Sequence, residues 1–147
     1  MTGGHVMEAM GLPNTNVFDP VTGKWEVLPV MAQGRWYPTN TTLPNGDVLT
    51  VAGTDEMGEN VLIPEVWDGT EWRALTKAAL GLPYYPRMFV APDGRVFYAG
   101  EEQQSLYLDV KGKGQWTYGP MRKFGGRDYG SAVMYEPGKI LYANEHA

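Results

Sequence analysis

Cysteine is absent from the chain, so disulfide bonds, thiolate metal ligands and cysteine nucleophiles are all excluded. Histidine is scarce, because the 147 residues include only His5 and His146. No run of lysine and arginine accompanies the net charge of −5, and no apolar stretch is long enough to span a bilayer. The first ten residues lack the basic and apolar regions of a secretory signal. We therefore expect neither a nucleic-acid nor a membrane partner.

What the sequence does contain favours a packed domain of short strands. Hydrophobic residues make up 43% of the chain, which is enough for a core. The 19 glycines and 11 prolines are spread along the chain instead of being clustered. Such spacing is typical of many short strands joined by tight turns.

Three kinds of residue recur with a period of about 45 residues, which is the range of a propeller blade. Each kind keeps nearly the same spacing, 47 or 48 residues and then 44. The recurring residues are Trp25, Trp72 and Trp116; the turn glycines Gly46, Gly94 and Gly138; and Tyr37, Tyr85 and Tyr129. Three independent markers with one period indicate a repeated structural unit.

Each unit contains four predicted strands, and the alternation in segments such as Val96–Ala99 fits half-buried strands better than a helix. The first strand follows the repeated tyrosine, the second ends near a glycine, the third ends on aspartate, and the fourth carries the tryptophan. Thr76–Leu82 is the best helical candidate, and it is short. The pattern predicts an all-β fold of four-stranded antiparallel blades, that is, a kelch-type β-propeller.

The repeats amount to about three blades that are cut in the middle of a blade. Two half-blades would leave open strand edges, which invite pairing with another chain. We expect either a longer propeller that supplies the missing blades, or a homodimer that closes a six-bladed ring by joining half-blades. The predicted units are a half-blade over 1–30, blades over 35–76 and 84–119, and a half-blade over 127–147.

The side chains that could form a binding face lie at the starts of the first strands and after the second strands. Antiparallel pairing places these two positions on the same face of a blade, and the longer loops of a rigid scaffold usually carry the site. A structural role is the alternative: repeated tyrosines pack between blades, and the arginines pair with carbonyl groups or acids. The predicted face comprises Arg35, Tyr37, Tyr85, Arg87, Glu101, Glu102, Arg127 and Tyr129.

Three segments carry a resemblance to a known family. Arg35–Thr39 reads RWYPT and leads to LPNGDVLTVAG at Leu43–Gly53, while YPRMFVAPDGRVFYAG and RDYGSAVMYEPGKILYA follow in the later repeats. Together they resemble the copper radical oxidases of the galactose oxidase and glyoxal oxidase kind. The resemblance implies oxidation of alcohols or aldehydes with reduction of O₂ to H₂O₂, copper as the cofactor, and an extracellular location. It also implies that Tyr37 is the copper ligand that holds the radical.

The chain departs from that family at the copper site. The resemblance requires a cysteine joined to the tyrosine, a Tyr-His pair and a further histidine, and this sequence has no cysteine and no Tyr-His dipeptide. We therefore expect no cofactor for this chain alone and no oxidase activity from it. The competing hypothesis is a kelch-like binding or self-assembling scaffold without enzymatic activity.

Overall fold

The computed structural model describes residues 1–123, 125–126 and 130–143. Its regular elements are all β-strands, so the predicted all-β class is confirmed. Within these ranges no helical segment is long and apolar enough to cross a membrane. The strands are β1 His5–Met7, β2 Met10–Gly11, β3 Thr15–Asp19, β4 Lys24–Leu28, β5 Thr39–Thr42, β6 Val48–Val51, β7 Glu65–Trp67, β8 Trp72–Ala74, β9 Met88–Val90, β10 Val96–Tyr98, β11 Gln104–Asp109, β12 Gln115–Met121, β13 Ser131–Glu136 and β14 Lys139–Ala143.

Two four-stranded antiparallel sheets form the centre of the molecule. The first has the order β5-β6-β7-β8, and the second repeats it as β9-β10-β11-β12. Each strand pairs with its neighbour in the sequence. The registers are equivalent as well, because Val48 lies opposite Trp67 in the first sheet and Val96 opposite Leu108 in the second. The predicted repeat is therefore present in the strand pairing itself.

Two-stranded sheets lie on either side of this pair along the chain. Strand β3 pairs with β4, and β13 pairs with β14. Thr2 forms an isolated antiparallel bridge with Thr15, and the Asn16 N–H donates to the Met1 carbonyl at 2.9 Å. The first residues thus lie beside β3, where a preceding strand of a complete blade would run.

The core joins the two four-stranded sheets. Their first strands, β5 and β9, lie in contact. Apolar side chains from both sheets, together with residues of the connection between them, form one buried cluster. Its members are Leu43, Leu49, Val51, Val66, Leu75, Ala78, Met88, Val96, Tyr98 and Leu108.

Two of the three repeated tryptophans, Trp72 and Trp116, join neighbouring sheets. The indole N–H of Trp72 donates to the Pro29 carbonyl at 2.9 Å, and that of Trp116 donates to the Ala78 carbonyl at 2.8 Å. Each bond joins the fourth strand of a sheet to the chain segment that comes before the first strand of that sheet. The structural role of Trp72 and Trp116 therefore has a specific basis in hydrogen bonding.

The repeated aspartates form turns. In each repeat the carboxylate accepts the N–H of the residue two positions later, at 2.8 Å for Asp19 and Asp68 and at 3.0 Å for Asp109. These are Asx-turns, which short acidic side chains favour. The bonds to backbone N–H groups also hold the pKa values of Asp19 and Asp68 below their usual range.

The helical candidate Thr76–Leu82 does not form a helix. The segment is instead tied to two loops, since the Lys77 N–H donates to the Lys113 carbonyl before β12 and the Leu80 N–H donates to the Leu62 carbonyl before β7. Proline at position 83 also disfavours a helix immediately before it. The segment has only seven residues, and so short a helix would form too few hydrogen bonds and apolar contacts to offset the cost of nucleation.

Candidate functional site

Tyr37 precedes β5 and is presented at the surface by a stack of aromatic rings. Its ring lies parallel to that of Trp36, with centroids 3.8 Å apart, and to that of Tyr85, with centroids 4.4 Å apart. The side chain stays 36% exposed. Tyr37 has a φ of 62°, a left-handed conformation that costs a bulky residue about 1–3 kcal/mol. The stacked rings on both sides offset part of that cost.

Tyr85, the equivalent residue of the next repeat, has the same unusual backbone, with a φ of 51°. Its N–H donates to the Tyr37 carbonyl at 3.2 Å, and Tyr84 meets the Trp36 and Tyr37 rings edge-on. We call Trp36, Tyr37, Tyr84 and Tyr85 the aromatic platform. The structure therefore brings Tyr37 and Tyr85 together, and sequence reasoning missed the contributions of Trp36 and Tyr84 to this contact.

Arg35 does not lie on the predicted exposed face, because its side chain is fully buried, with 0% exposed. The guanidinium donates to the carbonyls of Ala52 at 3.0 Å and Ile63 at 2.7 Å, and it pairs with Glu65 at 2.9 Å. Burial lowers the pKa of Arg35, and the Glu65 carboxylate opposes that shift. The geometry matches the structural alternative, in which the arginine pairs with carbonyls and an acid.

Glu65 completes this buried ion pair. Its second oxygen accepts the Ala32 N–H at 2.9 Å, so both carboxylate oxygens are used. A buried charge persists only when it is paired and hydrogen-bonded. Glu65 was not among the residues that the sequence predicted for the site. It faces the arginine because of its place opposite Thr50 in the strand pairing of β6 and β7.

Arg87 connects the platform to the last sheet. Its Nε donates to the Gly130 carbonyl at 2.9 Å, and its Nη1 donates to the Tyr85 carbonyl. Both acceptors are backbone groups, and Gly130 immediately precedes β13. In the described structure Arg87 thus joins the second repeat to the third.

Glu101 and Glu102 follow β10, as expected for a loop after the second strand. The backbone carbonyls of both residues accept from Nη2 of Arg122, at 2.6 and 2.7 Å. The guanidinium of Arg122 also lies 4.2 Å over the ring of Tyr142. The two acidic residues therefore lie at the junction of the second four-stranded sheet and β14.

Glu102 makes a further contact that the sequence did not predict. Its carboxylate accepts a hydrogen bond from the hydroxyl of Tyr98, a core residue that is almost wholly buried. Burial and the neighbouring carboxylate both raise the pKa of Tyr98. A sequence signal existed, since the tyrosine ends a strand four residues before the acid, but alternation alone cannot identify the partner of a buried hydroxyl.

Arg127, Tyr129 and His146 lie outside the described residues, so the repeat of the platform in the third unit stays a prediction. His5 is exposed on β1. Among the residues that the structure describes, no three His, Cys, Asp or Glu side chains gather as a metal site. Around Tyr37 the described neighbours are aromatic rings instead of imidazoles, so these residues do not fit the tetragonal set that Cu²⁺ prefers.

Known proteins resemble this chain both in sequence and in fold, although no protein-family model matches the sequence. Art an 7 of Artemisia annua, named as a candidate aldehyde oxidase, is 26% identical over 120 residues, which cover 71% of this chain and 20% of that protein. A fungal alcohol oxidase of the AA5 family, solved in complex with copper, matches with a TM-score of 0.72 at 22% identity. That match covers 84% of this chain and 29% of the fungal chain.

The chain spans less than a third of the length of either protein. Its fold is that of part of the fungal alcohol oxidase, and its sequence is similar to part of the plant protein. The resemblance to an oxidase that the sequence predicted is therefore confirmed at the level of fold.

Proposed function

We propose that this chain is a propeller segment of the copper radical oxidase type that has no oxidase activity on its own. The parent activity that the resemblance implies is oxidation of alcohols or aldehydes with reduction of O₂ to H₂O₂. Tyr37 stands at the position of the ligand tyrosine in the matching RWYPT segment. The same resemblance makes an extracellular location our expectation.

The observation that carries this proposal is the presentation of Tyr37. A tyrosine that served only for packing would bury its ring, whereas Tyr37 is held in a left-handed backbone, stacked on both faces and still partly exposed. Backbone strain of this kind is common where a side chain must be aimed at a ligand. The arrangement supports a phenol that is available at the surface of a rigid stack.

The proposed inactivity follows from the missing ligands. The sequence has neither a cysteine to modify Tyr37 nor a Tyr-His pair, and the described neighbours of Tyr37 supply no imidazole. A single phenolate does not make a redox site for two-electron chemistry. In a complete oxidase the other ligands would come from other blades.

Copper titration tests both parts of the proposal. Because the described neighbours supply no second ligand, Tyr37 would bind Cu²⁺ only as a single phenolate with water in the remaining positions, and a weak phenolate-to-copper absorption band in the wild type at excess Cu²⁺ would support it as a ligand position. The band should be absent in Tyr37→Phe and retained in Tyr118→Phe, a matched control because Tyr118 is exposed on β12, away from the platform. No H₂O₂ should form from alcohols or aldehydes under these conditions.

Two results would contradict the proposal. A band of equal strength in the wild type and Tyr37→Phe, or no band in either, would remove Tyr37 as a ligand position and favour a scaffold. Formation of H₂O₂ that depends on Tyr37 would instead disprove the proposed inactivity.

A self-assembling scaffold is the second candidate, and the last sheet favours it. Among the described strands, β14 pairs only with β13, so its other edge has no strand beside it. In the two four-stranded sheets the equivalent strands, β6 and β10, pair with a third strand. Strand β3 of a second copy has the sequence position of such a third strand, since it ends on Asp19 as β7 is followed by Asp68 and β11 ends on Asp109.

The mass in solution tests this candidate. Light scattering should give the mass of a dimer, because the pairing would bury both open edges. The dimer should dissociate on dilution. A folded monomer at all concentrations would rule out assembly between copies and leave the copper oxidase segment as the proposal.

A further inference from the structure

A cleft of about 350 Å³ lies between the second four-stranded sheet, on the side of its outer strands β11 and β12, and the segment that leads to this sheet from the first. One wall is the segment Leu80–Leu82, which leads from the first sheet to the second. The other wall is built from Leu106 on β11 and Trp116 on β12. We call this space the seam cleft, and its size is in the range of sites for small molecules.

The walls of the seam cleft are fixed. The Trp116 indole N–H donates to the Ala78 carbonyl at 2.8 Å, and the Leu80 N–H donates to the Leu62 carbonyl at 2.9 Å. Leu82, Leu106 and Trp116 also pack against the buried core. The cleft is therefore formed before any ligand arrives, which lowers the entropic cost of binding.

One end of the cleft is polar, and the hydrogen-bond donors of Tyr98 and Gln104 at that end are already occupied. The Tyr98 hydroxyl donates to one carboxylate oxygen of Glu102. The side-chain amide of Gln104 donates to the carbonyls of Ser105 and Gly119, each at 2.8 Å. The nearby hydroxyl of Thr117 accepts from Arg95 at 3.3 Å.

Acceptor groups are what this end still offers. Within the described residues, no hydrogen bond occupies the second oxygen of Glu102 or the side-chain oxygen of Gln104. Both residues line the cleft, and Glu102 brings a negative charge. The complementary ligand is consequently a hydrogen-bond donor with a positive charge, attached to an apolar body that the leucines and Trp116 can cover.

We propose that the seam cleft binds a small primary ammonium compound, with the ammonium group on Glu102 and Gln104 and the hydrocarbon part against Leu80, Leu82, Leu106 and Trp116. An ammonium group has three donors and no acceptor, which matches the two acceptor oxygens. A carboxylate of the same size would face Glu102 with like charge. This inference goes beyond the proposed function and is independent of copper and of assembly.

The test compares three probes of one length, hexylammonium, hexanol and hexanoate, by calorimetry and by ¹H–¹⁵N spectra of the wild-type protein. We expect hexylammonium to bind about two to five times more tightly than hexanol, since its bond to the carboxylate is charge-assisted but Glu102 is exposed and water screens the charge. Hexanoate should not bind. The shifted indole signal should be that of Trp116, identified by its loss in Trp116→Phe.

Glu102→Gln keeps the shape of the side chain and should reduce the affinity for hexylammonium to that for hexanol. Glu26→Gln, which removes a charge from the exposed strand β4, is the matched control and should leave the affinity unchanged. Equal affinity for hexylammonium and hexanol, or full affinity in a folded Glu102→Gln, would overturn the proposal. The comparison of probes uses only the wild type, so it remains decisive if a variant does not fold.

Discussion

At the scale of single residues, the buried ion pair of Arg35 and Glu65 is the feature that costs the most free energy to form. Removing a guanidinium and a carboxylate from water costs several kcal/mol for each ion. Here the cost is offset by the pair itself at 2.9 Å, two carbonyl acceptors for the guanidinium and the Ala32 N–H for the carboxylate. The result is a polar crosslink between the entry to β5 and the chain around β7.

Replacing Arg35 by methionine should destabilise the protein by about 3–5 kcal/mol, because Glu65 would stay buried without its partner. Urea unfolding measures the loss. Arg95→Met is the matched control, since Arg95 forms an exposed pair with Asp93 and its loss should change the stability little. The double variant with Glu65→Leu should recover much of the loss, and a cost for Arg35→Met as small as that of the control would contradict the assigned role.

Tyr98 should make the stability sensitive to alkaline pH. Burial and the Glu102 carboxylate raise its folded pKa above the ordinary value of a tyrosine, which is about 10, so the unfolded chain loses the phenolic proton first. The stabilisation is therefore complete below about pH 10 and declines as the pH rises above it. Chemical unfolding between pH 8 and pH 11 should show a shallower decline in Tyr98→Phe than in the wild type or in Tyr118→Phe. Identical slopes would mean that Tyr98 titrates normally.

Single strands and turns follow the repeat closely. Strand β3 ends on Asp19 and β4 carries Trp25, as predicted for the third and fourth strands of a unit. Strands β5 and β9 follow the repeated tyrosines, as predicted, but they begin only at Thr39 and Met88, because the left-handed backbones of Tyr37 and Tyr85 end the ladder. Local alternation and turn residues thus determined where strands form, and tertiary packing trimmed their ends.

The tryptophan of each fourth strand should contribute to the free energy of unfolding only where a neighbouring segment lies against it. Trp116→Phe should cost about 0.5–1.5 kcal/mol, because the Ala78 carbonyl loses its donor. Trp25→Phe, at the equivalent position, should cost close to nothing, since Trp25 is 60% exposed. Thermal unfolding of the two variants compares these positions, and equal costs would show that the indole bond does not join the sheets.

The open strand edges decide how the whole molecule could associate. The two complete registers place Val48 opposite Trp67 and Val96 opposite Leu108. If β14 of one copy paired with β3 of another in this register, Ile140 would lie opposite Phe18, and Leu141 opposite Val17. A partner strand would then displace Met1 and Thr2 from Asn16 and Thr15. Leu141 and Val17 are exposed, as this pairing requires.

The cysteine-free sequence makes the register testable. Protein with Val17→Cys mixed with protein with Leu141→Cys should form a disulfide heterodimer on oxidation, because paired Cα atoms in a sheet fall within the range a disulfide spans. Val21→Cys, in the exposed turn after β3, is the control partner and should crosslink far less. Equal crosslinking at positions 17 and 21 would contradict the pairing, and the mixture excludes bonds within one chain.

Sequence alone determined the class of fold, the period of the repeat, the turns and the resemblance to an oxidase, because these depend on residues close together in the chain. The Asx-turns of Asp19, Asp68 and Asp109 are examples, since each bond spans two residues. Only the tertiary structure decided that Arg35 is buried against Glu65, 30 residues away, and that Tyr37 stacks on Tyr85. Such contacts depend on how sheets pack and on which charges lose water, and a one-dimensional pattern does not record either.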